Sequence, residues 1–168
     1  MPALAEINAL DRAGFVAALG AVFEHSPWVA DLAYAARPFA DVAALHRAMV
    51  AAVEESGAGR QLALIRAHPD LAGKAARAGA LGAHSTREQA GAGLDRLSEE
   101  EYARFHRLND AYQARFGFPF IIAVRDHDKA SILAAFETRL RHDADSERVE
   151  ALRNIARIAE LRLADLVR

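Results

Sequence analysis

Phe118-Pro119-Phe120-Ile121-Ile122-Ala123-Val124 is the one run in this chain that reads as a strand. Its aromatic and β-branched residues suit a buried, pleated surface. Two features argue against a sheet. Pro119 cannot donate to a ladder, and no second run of this character is available to pair with it. The segment is therefore expected to be extended and buried outside any sheet, and the fold to be all-α. Its backbone N–H and C=O groups then need partners of another kind. A polar ligand rich in donors and acceptors, such as a ureide or a purine derivative, would satisfy them.

Outward from that segment the chain reads as helices with clear stops. Asp11 is placed to cap a helix over about 12–24, with Phe15, Leu19 and Val22 on one face. Ser26-Pro27 restarts the chain as a capping hydroxyl followed by proline at the first helical position, and that helix ends before Pro38. Asp41 caps a helix bearing Val42, Leu45, Met49 and Val53, which Gly57 stops. Gln61 to Ala67 is helical until Pro69 forces His68 out of the α region. Ala72 to Ala83 reads as a loop with a helical turn, and Ser85 as the start of a short helix. Ser98 opens a longer helix with the stripe Tyr102, Phe105, Leu108, Tyr112 and Phe116, and Gly117 closes it. Asp128 caps a helix to about Arg141. A last helix runs from about Ser146 to Val167 with Val149, Leu152, Ile155, Ala159, Leu163 and Leu166 inward. The expectation is a single-domain bundle of about seven to nine helices over residues 1–168, with one buried extended segment.

The composition narrows the function classes. Of 168 residues, 52% are apolar and 26% charged, which is a globular balance. A formal net charge of −2 argues against nucleic-acid binding by bulk attraction. The absence of cysteine removes disulfides, thiolate nucleophiles and Cys-ligated metals. The first twelve residues carry Glu6 and Asp11 and lack the basic flank and apolar run of a signal peptide. No stretch reaches the length of a membrane span. A soluble cytoplasmic protein is the expectation.

The chemically useful groups gather in two places. His68-Pro69-Asp70-Leu71 joins an imidazole to a rigid proline at a helix end, and Ser85-Thr86-Arg87-Glu88-Gln89 follows seventeen residues later. An imidazole at that position can exchange a proton near neutral pH, or simply cap the helix through its dipole. The other histidines except His84 (His25, His46, His106, His127 and His142) lie in charged or solvated contexts. Ser85-x-x-Glu88 and Ser98-x-x-Glu101 both match a capping box. Ser98 opens a run of three glutamates, as a solvated first turn would. Ser85 opens a helix that ends in Ala90, Gly91, Ala92 and Gly93, small residues that let another surface or a ligand approach. A metal set of His68, Asp70, His84 and Glu88 can be imagined, but its spacing matches no known signature. Phosphate loops and a nucleophile elbow are absent.

Three stretches together carry a family resemblance. They are His68-Pro69-Asp70-Leu71-Ala72-Gly73; Ser85-Thr86-x-Glu88-Gln89-x-x-Ala92-Gly93-Leu94; and Leu108-Asn109-x-x-Tyr112-x-x-Arg115-Phe116-Gly117-Phe118-Pro119-Phe120-Ile121-Ile122. In this order and spacing the chain resembles the OHCU decarboxylases, which act on 2-oxo-4-hydroxy-4-carboxy-5-ureidoimidazoline. Phe23-Glu24-His25-Ser26-Pro27-Trp28-Val29 and Arg162-Leu163 are also similar to the family. The resemblance implies an all-α, cofactor-free and metal-free carboxy-lyase of urate breakdown that yields (S)-allantoin, typically as a homodimer.

By the same resemblance, His68 is the expected catalytic proton donor; the mechanism makes Glu88 its expected catalytic partner, since a glutamate next to an imidazole would raise the histidine pKa. Pro69, Ser85, Thr86, Arg87, Glu88, Gln89, Phe120, Ile121, Ile122, Ala123, Val124 and Arg162 are expected to bind substrate. His84 stands where relatives often carry an acidic or small residue, which would affect the pH response of the site. Two other classes compete: a metal-dependent hydrolase using His68 and His84, and a non-enzymatic helical interaction module with alanine-rich faces. Neither nucleic acid nor a membrane is expected as a partner.

Overall fold

In the computed structural model, residues 1–73, 76 and 79–168 are described. Among them there are nine α-helices and no strand: α1 (Leu4–Ala9), α2 (Arg12–Leu19), α3 (Trp28–Ala33), α4 (Val42–Glu55), α5 (Ala58–Arg66), α6 (Ala83–Gly91), α7 (Glu99–Phe116), α8 (Lys129–Arg139) and α9 (Ala144–Leu166). Short 3-10 turns cover Tyr34–Ala36 and Val124–Asp126. The all-α reading holds. Part of the expected Ala72–Ala83 loop lies outside the described residues.

The caps explain most helix starts. Asp11 accepts from the Gly14 amide at 2.7 Å, Asp41 from Ala44 at 2.6 Å and Asp128 from Ser131 at 2.8 Å. Ser98 and Glu101 form the reciprocal capping box at 3.1 and 3.2 Å. Gly117, at φ 74, closes α7 in the left-handed region.

The chain divides into two compact units, residues 1–67 with 155–168, and residues 68–154. In the first unit, α2 packs on α3 and α3 on α4. Phe15, Leu19, Val29, Leu45, Met49, Leu64 and Ile65 are fully buried there, together with Ala159 and Leu163 from the second half of α9. In the second unit, α7 packs on α8 around Phe105, Tyr112, Phe120, Ile132 and Phe136. Phe120 stacks on Phe136 with ring centroids 3.7 Å apart.

Several expectations are corrected. α2 stops at Leu19 rather than near residue 24. At Gly20 the backbone passes so close that a Cβ would lie 2.6 Å from the Val16 carbonyl and 3.1 Å from Pro27. Ser26 does not cap α3; its hydroxyl donates to the Glu24 carbonyl at 2.9 Å, and the helix begins at Trp28. Helix α1 has no counterpart in the sequence reading. Val149 is 56% exposed, because the buried stripe of α9 starts instead on Glu147, Ala151 and Ile155. Apolar patterning skips a stripe that begins with a charge.

Candidate active site

The site is built from the bend that follows α5. That helix ends at Arg66, and Pro69 keeps His68 from continuing it. His68 is buried, as are Leu71, Ala72 and Gly73. Ala72 sits at φ 49, a left-handed conformation that costs a non-glycine residue about 1–2 kcal/mol. At Gly73 a Cβ would stand 2.9 Å from the Asp70 Cβ, so the tight turn needs glycine.

Two buried amides hold this strained loop. The Gln89 Oε1 accepts from the Ala72 N–H at 2.9 Å, and its Nε2 donates to the Asp70 carbonyl at 3.4 Å. Asn109 Nδ2 donates to the Leu71 carbonyl at 2.8 Å. Three consecutive loop residues are thereby fixed to α6 and α7. Beside this clasp lies a cavity of about 210 Å³ bordered by Ala72, Thr86, Gln89, Ala90, Leu94 and Tyr102.

Helix α6 is not capped as its sequence suggests. It begins at Ala83 behind an extended Gly82, so Ser85 is already its third residue. Ala83 and His84 join the helix, and the N-cap lies at Gly82, three residues earlier than the capping box implies. Ser85 and Gln89, four apart, form the buried face. Glu88 is half-buried, while Thr86 and Arg87 are exposed. The Thr86 hydroxyl donates back to the Gly82 carbonyl at 3.0 Å, and Arg87 Nη2 lies 3.1 Å from His84 Nδ1.

The third wall is the extended segment. Phe118 to Val124 is buried throughout and joins no sheet, as its proline predicts. Its far end, the Val124–Asp126 turn, packs against α6. Part of its backbone demand is met by protein side chains. Arg139 Nη1 donates to the Ile121 carbonyl at 2.6 Å, and the Ala123 N–H donates to Asn154 Oδ1 at 3.1 Å.

Arg139 itself is held by the fully buried Glu147 at 2.8 Å and lies 4.3 Å from the Phe120 ring centroid. Glu147 also accepts from the Tyr112 hydroxyl, and pairs with His142 at 3.0 Å. Burial and that carboxylate push the Tyr112 phenol far above its usual pKa, so it remains a donor.

The loop that carries His68, α6 and the end of the extended segment thus belong to one unit and are linked through the Gln89 hydrogen bonds and the Val124 turn. Arg162 belongs to the other unit. There it is 2% exposed, pairs with the buried Glu24 at 3.0 Å and donates to the Val22 carbonyl at 3.2 Å. Among the described residues no three His, Asp or Glu side chains are grouped as metal donors, so His68, Asp70, His84 and Glu88 do not form the set imagined for a hydrolase.

Sequence reasoning missed the clasp role of Asn109 and the Arg139–Glu147 support. A signal for the first existed: Phe105, Asn109, Tyr112 and Phe116 follow helical spacing, and Asn109 is buried where the apolar reading counted Leu108.

The chain is similar to proteins already known. A 2-oxo-4-hydroxy-4-carboxy-5-ureidoimidazoline decarboxylase of Haloferax volcanii is 47% identical over 162 residues, covering 96% of this chain and 94% of that one. The uric acid degradation bifunctional protein PucL of Bacillus subtilis is 41% identical over 96% of this chain, which spans 32% of that longer protein. A crystal structure of (S)-allantoin synthase superposes with a TM-score of 0.76 at 31% identity, over 98% of this chain and about half, 54%, of that one. A structure of OHCU decarboxylase in the presence of (S)-allantoin shares the fold, with a TM-score of 0.69 at 20% identity over 94% of this chain and 98% of that one. Residues 8–164 match the family described as OHCU decarboxylase, and the chain belongs to that family.

Proposed function

We propose that this protein removes the carboxyl group of 2-oxo-4-hydroxy-4-carboxy-5-ureidoimidazoline and releases (S)-allantoin, with His68 as the proton donor. One observation carries the reading. In a chain of this family, a single helix bearing Ser85, Glu88 and Gln89 is bonded to the His68 loop and packed against the end of the Phe120–Val124 segment.

The chemistry runs on groups of the protein itself. As the C–C bond to the carboxylate breaks, CO2 departs and its electron pair remains on the ring carbon, delocalised into the conjugated ring as an enolate-like anion. Backbone N–H groups and polar side chains aimed at that charge stabilise it. The His68 imidazolium then gives its proton to one face of the carbon, which fixes the hand of the product, and regains a proton from solvent.

Glu88, half-buried on α6, is assigned as the catalytic partner of His68 that orients the substrate. Pro69, Ser85, Gln89 and Phe120 to Val124 are assigned to the pocket walls. Thr86 and Arg87 are exposed and contribute at the rim. Arg162 enters the assignment through the family resemblance alone.

We further propose that residues 1–168 act as one functional domain, that the enzyme uses neither metal nor cofactor, and that it works as a cytoplasmic homodimer. Among the described residues no helix is long and apolar enough to cross a membrane. The test is direct. Purified protein is mixed with substrate generated enzymatically from urate, and CO2 release is followed with and without excess chelator. Accelerated release indifferent to chelator is expected. Release no faster than the uncatalysed decay removes the proposal.

A further inference from the structure

We infer that Asn109 is a positioning residue for the decarboxylation, setting the orientation of His68 through the backbone of the loop that carries it. The inference rests on the proposed role of His68 as proton donor. Asn109 is 3% exposed and lies on the buried face of α7. Its Nδ2 donates to the Leu71 carbonyl at 2.8 Å, whereas its Oδ1 is buried and has no hydrogen-bond partner among the described residues. An amide that leaves one end unsatisfied where it is buried is a poor packing residue; an aliphatic side chain of similar size would avoid that penalty. What the amide supplies is the single bond to the loop.

That bond acts together with the two from Gln89. Asp70 and Leu71 are held by their carbonyls and Ala72 by its N–H. The only residue between His68 and this clamped stretch is Pro69, whose ring locks φ. Ala72 adopts the left-handed region despite its Cβ. Such a conformation persists only where the surroundings over-determine it, and the two amides flanking it do so. The loop is therefore pre-set before substrate arrives, and the imidazole begins each turnover in position.

The test compares wild type with Asn109→Leu and Asn109→Asp in the same assay, recording kcat, KM and the handedness of the allantoin by circular dichroism. Folding of each variant is verified by far-UV circular dichroism and Tm. Asn109→Leu removes the donor at similar volume. We expect its kcat to fall by about 10- to 100-fold, as for a small misplacement of a reacting group, with KM within about twofold. Its product should lose handedness, because water then protonates either face.

The aspartate variant can donate to the Leu71 carbonyl only when protonated. Its kcat relative to wild type should therefore climb as pH is lowered from about 8 to about 6, burial having raised its pKa. Asp110 raises and His106 lowers the pKa of Asp70, the neighbour of Leu71, and these three are the charged groups to set beside the introduced carboxyl.

Folded Asn109→Leu with kcat within about twofold of wild type overturns the inference. So does a lowered Tm with kcat and handedness unchanged, and so does failure of both variants to fold, since Asn109 is then a stability residue. Inactive wild type is a different result and removes the function proposal itself.

Discussion

Arg139→Met tests how the extended segment is supported. The substitution keeps most of the buried volume and deletes the guanidinium. Three interactions go with it: the 2.8 Å pair with Glu147, the 2.6 Å bond to the Ile121 carbonyl and the 4.3 Å approach to the Phe120 ring. Glu147 is fully buried, so removing its cationic partner leaves a carboxylate supported, among the described residues, by Tyr112 and His142. Breaking one side of such a pair costs about 3–5 kcal/mol. The orphaned carbonyl contributes within that figure, because neighbouring effects do not add.

For a chain of this size the loss corresponds to a fall in Tm of about 6–20 °C. Urea unfolding at constant slope measures it. The decisive comparison is the triple variant Arg139→Met, Glu147→Leu, Tyr112→Phe. Removing the whole polar group should recover most of the stability, to within about 1–2 kcal/mol of wild type, because no buried charge is left behind. In both variants KM should rise, since Ile121 and its neighbours lose their anchor. A loss below about 1 kcal/mol for the single variant, or a triple variant no more stable than the single one, refutes the reasoning.

Three further outcomes follow from the same structure. Ser98→Ala should cost about 1 kcal/mol through loss of the N-cap and leave kcat unchanged, whereas Ser85→Ala should leave the start of α6 intact and alter turnover; thermal melts and kinetics separate the two. Asp70 reaches solvent as a residue, yet burial of its carboxyl and the like charge of Asp110 raise its pKa above 3.8, with His106 opposing. A raised carboxyl favours the fold when protonated, so stability is fully present below the unfolded value and falls as pH rises through the folded one. Asp70→Asn should therefore be more stable than wild type at neutral pH, with the advantage fading in acid; a variant whose advantage grows in acid contradicts this. Excess chelator should leave turnover unchanged, and a chelator-sensitive rate would point back to metal chemistry.

What the sequence discloses depends on how local the cause is. Asp11, Asp41, Ser98 and Asp128 are legible as caps because a cap is settled within four residues, and each makes its bond. Ser85 misleads for the same reason: its motif is sound, but the residues before it can also be helical, and nothing local fixes the register. The extended segment is legible from Pro119 and from the lack of a partner strand. Its supports are not, because Arg139 and Asn154 lie 18 and 31 residues from the groups they hold. Glu147 is hidden by the habit of reading helix faces as apolar.

At the candidate site, the chemistry of His68, Glu88 and Gln89 can be read from residue type. The clasp cannot, since the Asn109 bond to Leu71 spans 38 residues and exists only once α7 is folded. Gln89 shows the limit most clearly, for the side chain expected to face substrate has both amide ends on the loop.

The central claim is that His68 delivers the proton that makes one hand of allantoin. It is tested by turning over enzymatically generated substrate with wild type and with folded His68→Asn, and following (S)-allantoin by circular dichroism. Wild type should give a growing (S) signal, and the variant none above the uncatalysed background. A variant that forms (S)-allantoin at the wild-type rate contradicts the claim and reduces His68 to a residue that ends a helix.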